Sequence, residues 1–225
     1  MILDIGSGQH RRRIDILSLA KSLGKELCSA LQGLHVNTGE DCCAAFRGKA
    51  KLPALKLMQK HPEYIQAFAK IGDDWKISDV TSEVIEKFTC GLYGCHRCEK
   101  VNDARGFKLK SMCGSKGKIT KKCKLDLYKL PPCYNSFKPH LLRANYQARR
   151  LKLSDSTCPE IPQPQEGHGW VCIDDKTVEP QWTDGPILPD NLVDLLEETD
   201  LNSDSDSSSE NSDDSEDSGA NTDND

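Results

Sequence analysis

Glycine and proline divide the first 153 residues into short segments, and most segments place apolar side chains at helical spacing. Residues 14–32 show this pattern, and Gly24 is expected to split them into two short helices. A later segment breaks at His61 and Pro62, and the next is expected to end at Gly72. The pattern predicts a mainly α fold.

Caps and breaks predict where further helices begin and end. A short helix through residues 44–46 is expected to end at Gly48, where a left-handed C-cap is sterically free. The next helix is expected to begin near Pro53, because proline suits a first helical turn. Ser78 suits the N-cap of another helix. Two further helices are predicted over residues 102–112 and 135–153.

The composition of the sequence changes in its last third. Residues 159–166, PEIPQPQE, predict an extended, polyproline-like chain. Residues 169–182 predict a small hairpin, and residues 188–199 a final short helix. Residues 200–225 carry ten acidic and no basic side chains, with almost no apolar ones, so we expect disorder. The predicted fold is a helical body with a small C-terminal β-hairpin and a disordered acidic tail.

Charge is distributed unevenly along the chain. The formal net charge is −5, yet residues 1–199 hold 25 acidic and 30 basic side chains, a net of +5. Residues 95–152 carry sixteen Lys or Arg against three acids. Such a field favours phosphates or an acidic protein surface, and a solvated lysine-rich face is the alternative. Aromatic residues within this region suit base stacking or, equally, a core.

Seven of these basic residues are predicted to contact a nucleic-acid backbone. They are Lys108, Lys110, Lys121, Lys122, Arg143, Arg149 and Arg150. Contacts of this kind position a protein on DNA or RNA without reading the base sequence. The predicted partner is therefore the backbone of either nucleic acid.

Eleven irregularly spaced cysteines indicate reduced thiols in a nuclear, or otherwise cytoplasmic, protein that is not secreted. The N-terminus has no signal-peptide pattern, and no apolar run approaches the roughly eighteen residues of a membrane span, so no membrane partner is expected. Cys95 and Cys98 have zinc-knuckle spacing. A Zn²⁺ site needs four convergent ligands, and no second pair follows at finger spacing, so we interpret them as unligated thiols.

Residues 38–58, TGEDCCAAFRGKAKLPALKLM, place carboxylates close to a glycine–lysine turn. Backbone amides in such a turn, at the head of a helix, bind phosphate well, and Lys49 and Lys51 beside Gly48 add positive charge. Glu40 and Asp41 are candidate ligands for Mg²⁺, although metal-dependent cleavage gathers more acids than two. The alternative is an ordinary helix-turn-helix with charged edges.

A family resemblance covers about residues 10–199. It rests on motifs in a fixed order: GLHVNTGEDCCAAFRGKAKLPALKLM, FAKIGDDWKIS, EKFTCGLYG, VNDAR, LPPC, HLLRANYQARRLKL, PEIPQPQEGHGW and EPQWTDGPILPDNLVDLLE. Together they resemble the C-terminal half of large uncharacterised animal proteins derived from mobile elements. The biochemical role of those proteins is unsettled, so the resemblance alone implies no activity.

Within that resemblance, the motif of residues 38–51 is similar to the flap endonuclease and PIN-like nuclease superfamily. There an aspartate binds metal and a helix-turn-helix grips the DNA backbone, which implies a metal role for Asp41 and backbone contacts at the turn. Glu40 stands where the family has Cys, and Ala50 where it has a second turn glycine. Relatives carry acidic segments upstream of this region, which implies that the chain is a truncated copy that binds without cleaving.

The sequence is thus divided into four regions. These are a nuclease-like helical segment (1–75), a basic helical region (76–158), a connector with hairpin and helix (159–199) and the tail (200–225). The expected function is nucleic-acid binding without catalysis. The alternatives are a divalent-metal-dependent nuclease completed by missing acids, and a protein-interaction module that docks through the acidic segment 192–201.

Overall fold

Seven α-helices and two antiparallel hairpins make up the part of the chain that the computed structural model describes, residues 1–112, 129–174 and 177–187. In order, the elements are β1 (Ile2–Ile5), β2 (Arg12–Asp15), α1 (Ile16–Leu23), α2 (Lys25–Asn37), α3 (Lys51–Gln59), α4 (Pro62–Lys70), α5 (Asp79–Leu92), α6 (Val101–Met112), α7 (Tyr134–Lys152), β3 (Trp170–Cys172) and β4 (Val178–Pro180). The predicted helical body with a small C-terminal hairpin is confirmed. All described residues belong to one unit, Met1–Ile187.

Several predictions concern residues outside the described ranges. They are the contacts of Lys121 and Lys122, the helix over residues 188–199, the docking segment 192–201 and the disordered tail. These stay predictions. Among the described residues, no helix combines the length and apolarity needed to cross a membrane.

The helix boundaries follow the predicted caps and breaks. The break between α1 and α2 falls at Gly24. The side chain of Ser78 accepts a hydrogen bond from the backbone N–H of Thr81, which satisfies one of the free donors at the start of α5. Pro53 lies in the first turn of α3, as expected, because a backbone N–H in that turn has no acceptor within the helix and proline can therefore lack one.

The short helix predicted over residues 44–46 is not formed. Two backbone hydrogen bonds pair Glu40 with Cys43, N to O at 3.0 Å and 3.1 Å, and close a tight turn instead. The chain then runs on so that Phe46 is buried against His140, with ring centroids 4.9 Å apart. Burial of Cys43 and Phe46 outweighs the helical preference of so short a segment.

The N-terminal hairpin was not predicted from the sequence. Strands β1 and β2 pair antiparallel in the register Ile2 to Asp15 through Ile5 to Arg12. Asp4 on β1 forms an ion pair with Arg11, at 2.6 Å, which lowers the pKa of the Asp4 carboxyl. Each strand is four residues long and almost wholly exposed, so neither leaves a clear alternation of buried and polar positions.

The core lies where α2, α4, α5 and α7 pack together. Gly33 lets α2 approach α4 closely, because a Cβ at this position would overlap the carbonyl oxygen of Phe68. Phe68 on α4 and Phe88 on α5 meet edge to face, with ring centroids 4.7 Å apart. Tyr64 meets Phe88 in the same way at 5.3 Å. Aromatic pairs in this geometry add to the stabilisation from burial alone.

Asn145 on α7 holds the turn that follows α4. Its Oδ1 accepts from the N–H of Gly72 at 2.8 Å, and its Nδ2 donates to the carbonyls of Asp74 and Trp75 at 2.9 and 3.0 Å. Asn145→Leu keeps the branching at Cγ but leaves these groups unpartnered, so we expect a loss of about 2–4 kcal/mol in the free energy of unfolding. Urea denaturation measures this loss.

A matched control for that substitution is Asn102→Ala. Asn102 makes one exposed bond, accepting from the N–H of Tyr134 at 2.8 Å, so its removal is expected to cost about 0.5–1.5 kcal/mol. Equal losses for the two variants would contradict the role assigned to Asn145.

Candidate nucleic-acid interface

The predicted glycine–lysine turn precedes α3. The N–H of Lys49 donates to the carbonyl of Phe46 at 3.0 Å, and Gly48 between them has a φ of +69°, the left-handed conformation that favours glycine. Ala50 has φ −83° and ψ 154°, which any residue adopts. A glycine at this position is therefore not needed for this turn geometry.

The start of α3 is open to an acceptor from outside the helix. Its N-cap residue, Ala50, has no side-chain acceptor for a capping hydrogen bond, and its third residue, Pro53, has no N–H. The N–H groups of Lys51 and Leu52 have no acceptor within the helix, since they belong to its first turn. The ammonium group of Lys51 donates to Nδ1 of His35 at 2.7 Å, which holds this lysine against the last turn of α2.

Lys49 lies over the ring of Tyr93, just after α5, and two further cations, Arg105 and Lys108, lie nearby. We call Lys49, Arg105 and Lys108 the Tyr93 cluster. The Nζ atom of Lys49 lies 4.3 Å from the ring centroid, a cation–π contact. Lys108 reaches over Gly94, where an added Cβ would lie 3.8 Å from its Nζ. The positive charge of Arg105 acts on the Tyr93 hydroxyl, although burial dominates and raises the pKa of Tyr93 to about 12.

The cluster contains unrelieved repulsion between like charges. Burial lowers the pKa of Lys49, and the nearby charge of Lys108 lowers it further. Within the described part of the chain, neither lysine forms an ion pair with a carboxylate. Two ammonium groups held close together attract an anion more strongly than either does alone.

The other predicted backbone contacts occupy different surroundings. Arg143 is only 2% exposed and donates to backbone carbonyls, so it is no longer a candidate for contact with a nucleic-acid backbone. Arg149 is half-buried, with its guanidinium 5.9 Å from the ring centroid of Trp75. Arg150 and Lys110 are exposed at the ends of α7 and α6.

The predicted metal ligands are not gathered into a cluster. Asp41 is exposed, and Oε1 of Glu40 accepts from the N–H of Cys42 at 3.0 Å, a bond that belongs to the local turn. Cys95 is buried and its thiol donates to the carbonyl of Ala104 at 3.8 Å, while Cys98 is half-buried. Among the residues that the structure describes, no three His, Cys, Asp or Glu side chains are placed to hold a metal ion.

Tyr93 and Arg105 were not predicted as part of this site. Their role depends on α5 and α6 bringing residues 93 and 105 beside the turn of residues 46–51. Sequence spacing carries no sign of that approach, because the two regions are more than forty residues apart. The only local signal is the GLYG motif, in which a tyrosine stands between two glycines.

His140 packs beneath the first residue of the turn of residues 46–51. It packs on Phe46, and its Nε2 donates to the carbonyl of Asn37 at 2.9 Å. Burial lowers the pKa of His140 to about 4, so the ring is neutral at physiological pH. In the unfolded chain this imidazole takes up a proton near pH 6.5, whereas in the folded chain it does so only near pH 4. The free energy of unfolding is therefore expected to fall as pH drops from about 6.5 to about 4.

The test compares stability against pH for the parent chain, His140→Gln and His96→Gln. The slope between pH 6.5 and 4 should be smaller for His140→Gln than for the parent chain, and His96→Gln is the control at an exposed histidine. Some slope should remain, since burial also lowers the pKa of His168. An unchanged slope in His140→Gln would contradict a buried neutral ring.

Comparisons with protein-family models, curated proteins and solved structures give no match for this chain. The resemblance to mobile-element proteins and to PIN-like nucleases therefore stays a prediction.

Proposed function

We propose that the protein binds the phosphate backbone of a nucleic acid through the turn of residues 46–51 and the Tyr93 cluster. The observation that carries this proposal is that Lys49 lies over Tyr93 while Lys108 lies nearby, beside Gly94. Neither lysine pairs with a carboxylate of the described residues. A phosphate placed there relieves the repulsion between the two ammonium groups. The free energy gained is expected to fall steeply with salt, as for any backbone contact.

The start of α3 supplies a second kind of contact beside the lysines. The N–H groups of Lys51 and Leu52 are directed out of the first turn, and the helix dipole favours negative charge at this end. Backbone N–H donors and ammonium groups together suit a phosphodiester, whose single negative charge is shared by two non-bridging oxygens. The proposal is therefore contact with the backbone and no preference among base sequences.

The proposal includes no cleavage step. The Glu40 carboxylate is hydrogen-bonded within its own turn, and Asp41 stands in solvent. Phosphodiester cleavage by metal ions requires several acids around the ions. Binding to DNA fits the nuclear location that the sequence suggests, which we include in the proposal.

Fluorescence anisotropy with a labelled 20-base-pair duplex and the full chain tests the proposal. In 50 mM salt, Lys49→Ala combined with Lys51→Ala is expected to weaken binding on the order of tenfold or more, and equally for unrelated sequences. Lys56→Ala combined with Lys60→Ala removes the same charge from exposed positions at the other end of α3. Equal effects of the two pairs would refute a localised site.

A further inference from the structure

A cleft of about 320 Å³ lies between the loop of residues 44–46, one face of α7 and the segment of residues 181–187. Its volume is at the lower end of the range for small-molecule sites. Its walls are mostly apolar, formed by Ala44, Phe46, Phe137, Trp182 and Ile187. Three polar side chains of α7, Ser136, His140 and Arg143, also line it.

The outer wall of the cleft is tied to the fold. Two backbone hydrogen bonds anchor it, from Gln181 N to Gly169 O at 2.9 Å and from Asp184 N to Asn135 O at 2.7 Å. The Asp184 carboxylate also pairs with Lys138 at 2.9 Å. These bonds give Trp182 a defined place at the mouth of the cleft, although its side chain is 62% exposed.

Arg143 is a buried cation without an anion. Its Nη1 donates to the carbonyls of Gly169, at 3.0 Å, and Gln181, and its guanidinium carbon lies 5.4 Å from the ring centroid of Trp182. No carboxylate of the described residues pairs with it. Fully buried arginines are normally paired, because an uncompensated charge is costly away from water.

The neighbouring groups leave that positive charge unbalanced. His140 donates through Nε2 to the Asn37 carbonyl, so its Nδ1 is an acceptor and the ring carries no charge at physiological pH. Burial raises the pKa of the nearby Cys43 thiol to about 12, so it remains protonated. The cleft therefore combines apolar walls with a single net positive charge at Arg143.

We propose that this cleft binds a small apolar monocarboxylate, with the carboxylate on Arg143 and the hydrocarbon part between Phe46, Trp182 and Ile187. Nη1 is already used, which leaves the Nη2 and Nε donors of the guanidinium for the two carboxylate oxygens. The volume suits a ligand of about a dozen heavy atoms. The cleft shares Phe46 with the turn of residues 46–51, but its charged group is Arg143 and the proposal does not depend on nucleic-acid binding.

The test uses 3-phenylpropionate and its neutral analogue 3-phenylpropanamide as probes. Each is titrated into the ¹⁵N-labelled full chain, and the indole N–H signal of Trp182 is assigned by Trp182→Phe. The carboxylate is expected to bind at least tenfold more tightly than the amide, because only the carboxylate forms a charge-assisted pair. The shifts should include Trp182 and residues 44–46.

Variants locate the binding. Trp182→Ala is expected to weaken 3-phenylpropionate binding several-fold, and Arg143→Lys to remove most of the preference for the carboxylate, since lysine lacks the planar fork. Ile173→Ala, an exposed change in the β3–β4 hairpin outside the cleft lining, should have no effect. Any one of four results would overturn the proposal. These are equal affinity for both probes, chemical-shift changes confined to Lys49 and Lys108, no effect of Trp182→Ala, and no binding of either probe.

Discussion

Replacing Phe88 by alanine is expected to lower the free energy of unfolding by about 3–5 kcal/mol. The side chain is fully buried on α5, where its ring meets Phe68 and Tyr64 edge to face. The substitution removes a large apolar group and leaves a cavity that surrounding helices fill only in part. Because a typical domain is stable by about 5–15 kcal/mol, such a loss removes a large fraction of the total.

Urea denaturation followed by circular dichroism measures this effect, with Phe107→Ala as the matched control. Phe107 lies on α6 and is 60% exposed, so its replacement is expected to change the free energy of unfolding by about 0.5 kcal/mol or less. Similar losses for the two variants would contradict the placement of the core between α4 and α5.

Lys49→Met combined with Lys108→Met is expected to weaken backbone binding by on the order of a hundredfold at 50 mM salt, about tenfold for each lost contact. Methionine keeps an unbranched apolar chain beside Tyr93 and removes only the charge. Stability should be unchanged or slightly raised, because the folded state disfavours the charged form of Lys49, whose pKa is lowered by burial and by Lys108.

A loss of affinity without a loss of stability distinguishes a binding role of the two lysines from a structural one. Lys56→Met combined with Lys60→Met, at exposed positions on α3 and just after it, is the control and should alter neither quantity much. Anisotropy and thermal denaturation on the same samples provide both readouts. If binding falls only in proportion to a loss of folded protein, the two lysines are structural and the proposed site is wrong.

The helices were predictable because their limits are set locally. A serine accepts a hydrogen bond at the start of α5, glycine separates α1 from α2, and proline occupies the first turn of α3. The failure at residues 44–46 has the opposite cause. There the conformation depends on His140 and Tyr93, which lie distant in sequence and bury Phe46.

The candidate site was predictable in part. Gly48, Lys49 and Lys51 follow from a local pattern, whereas Tyr93 and Arg105 join them only through the packing of α5 and α6. Basic composition gave no way to distinguish Lys108, which belongs to the Tyr93 cluster, from Arg143, which is buried beside Trp182. Charge counted along a sequence does not show which side chains the fold turns inward.

The most direct test of backbone binding is the dependence of affinity on salt, measured by anisotropy for the full chain and for Lys49→Met combined with Lys108→Met. For the parent chain, the logarithm of the association constant should fall linearly with the logarithm of salt concentration. In the double variant the slope should be shallower by about two, one unit for each lost phosphate contact. Equal slopes, or no binding by the parent chain at 50 mM salt, would contradict the proposed function.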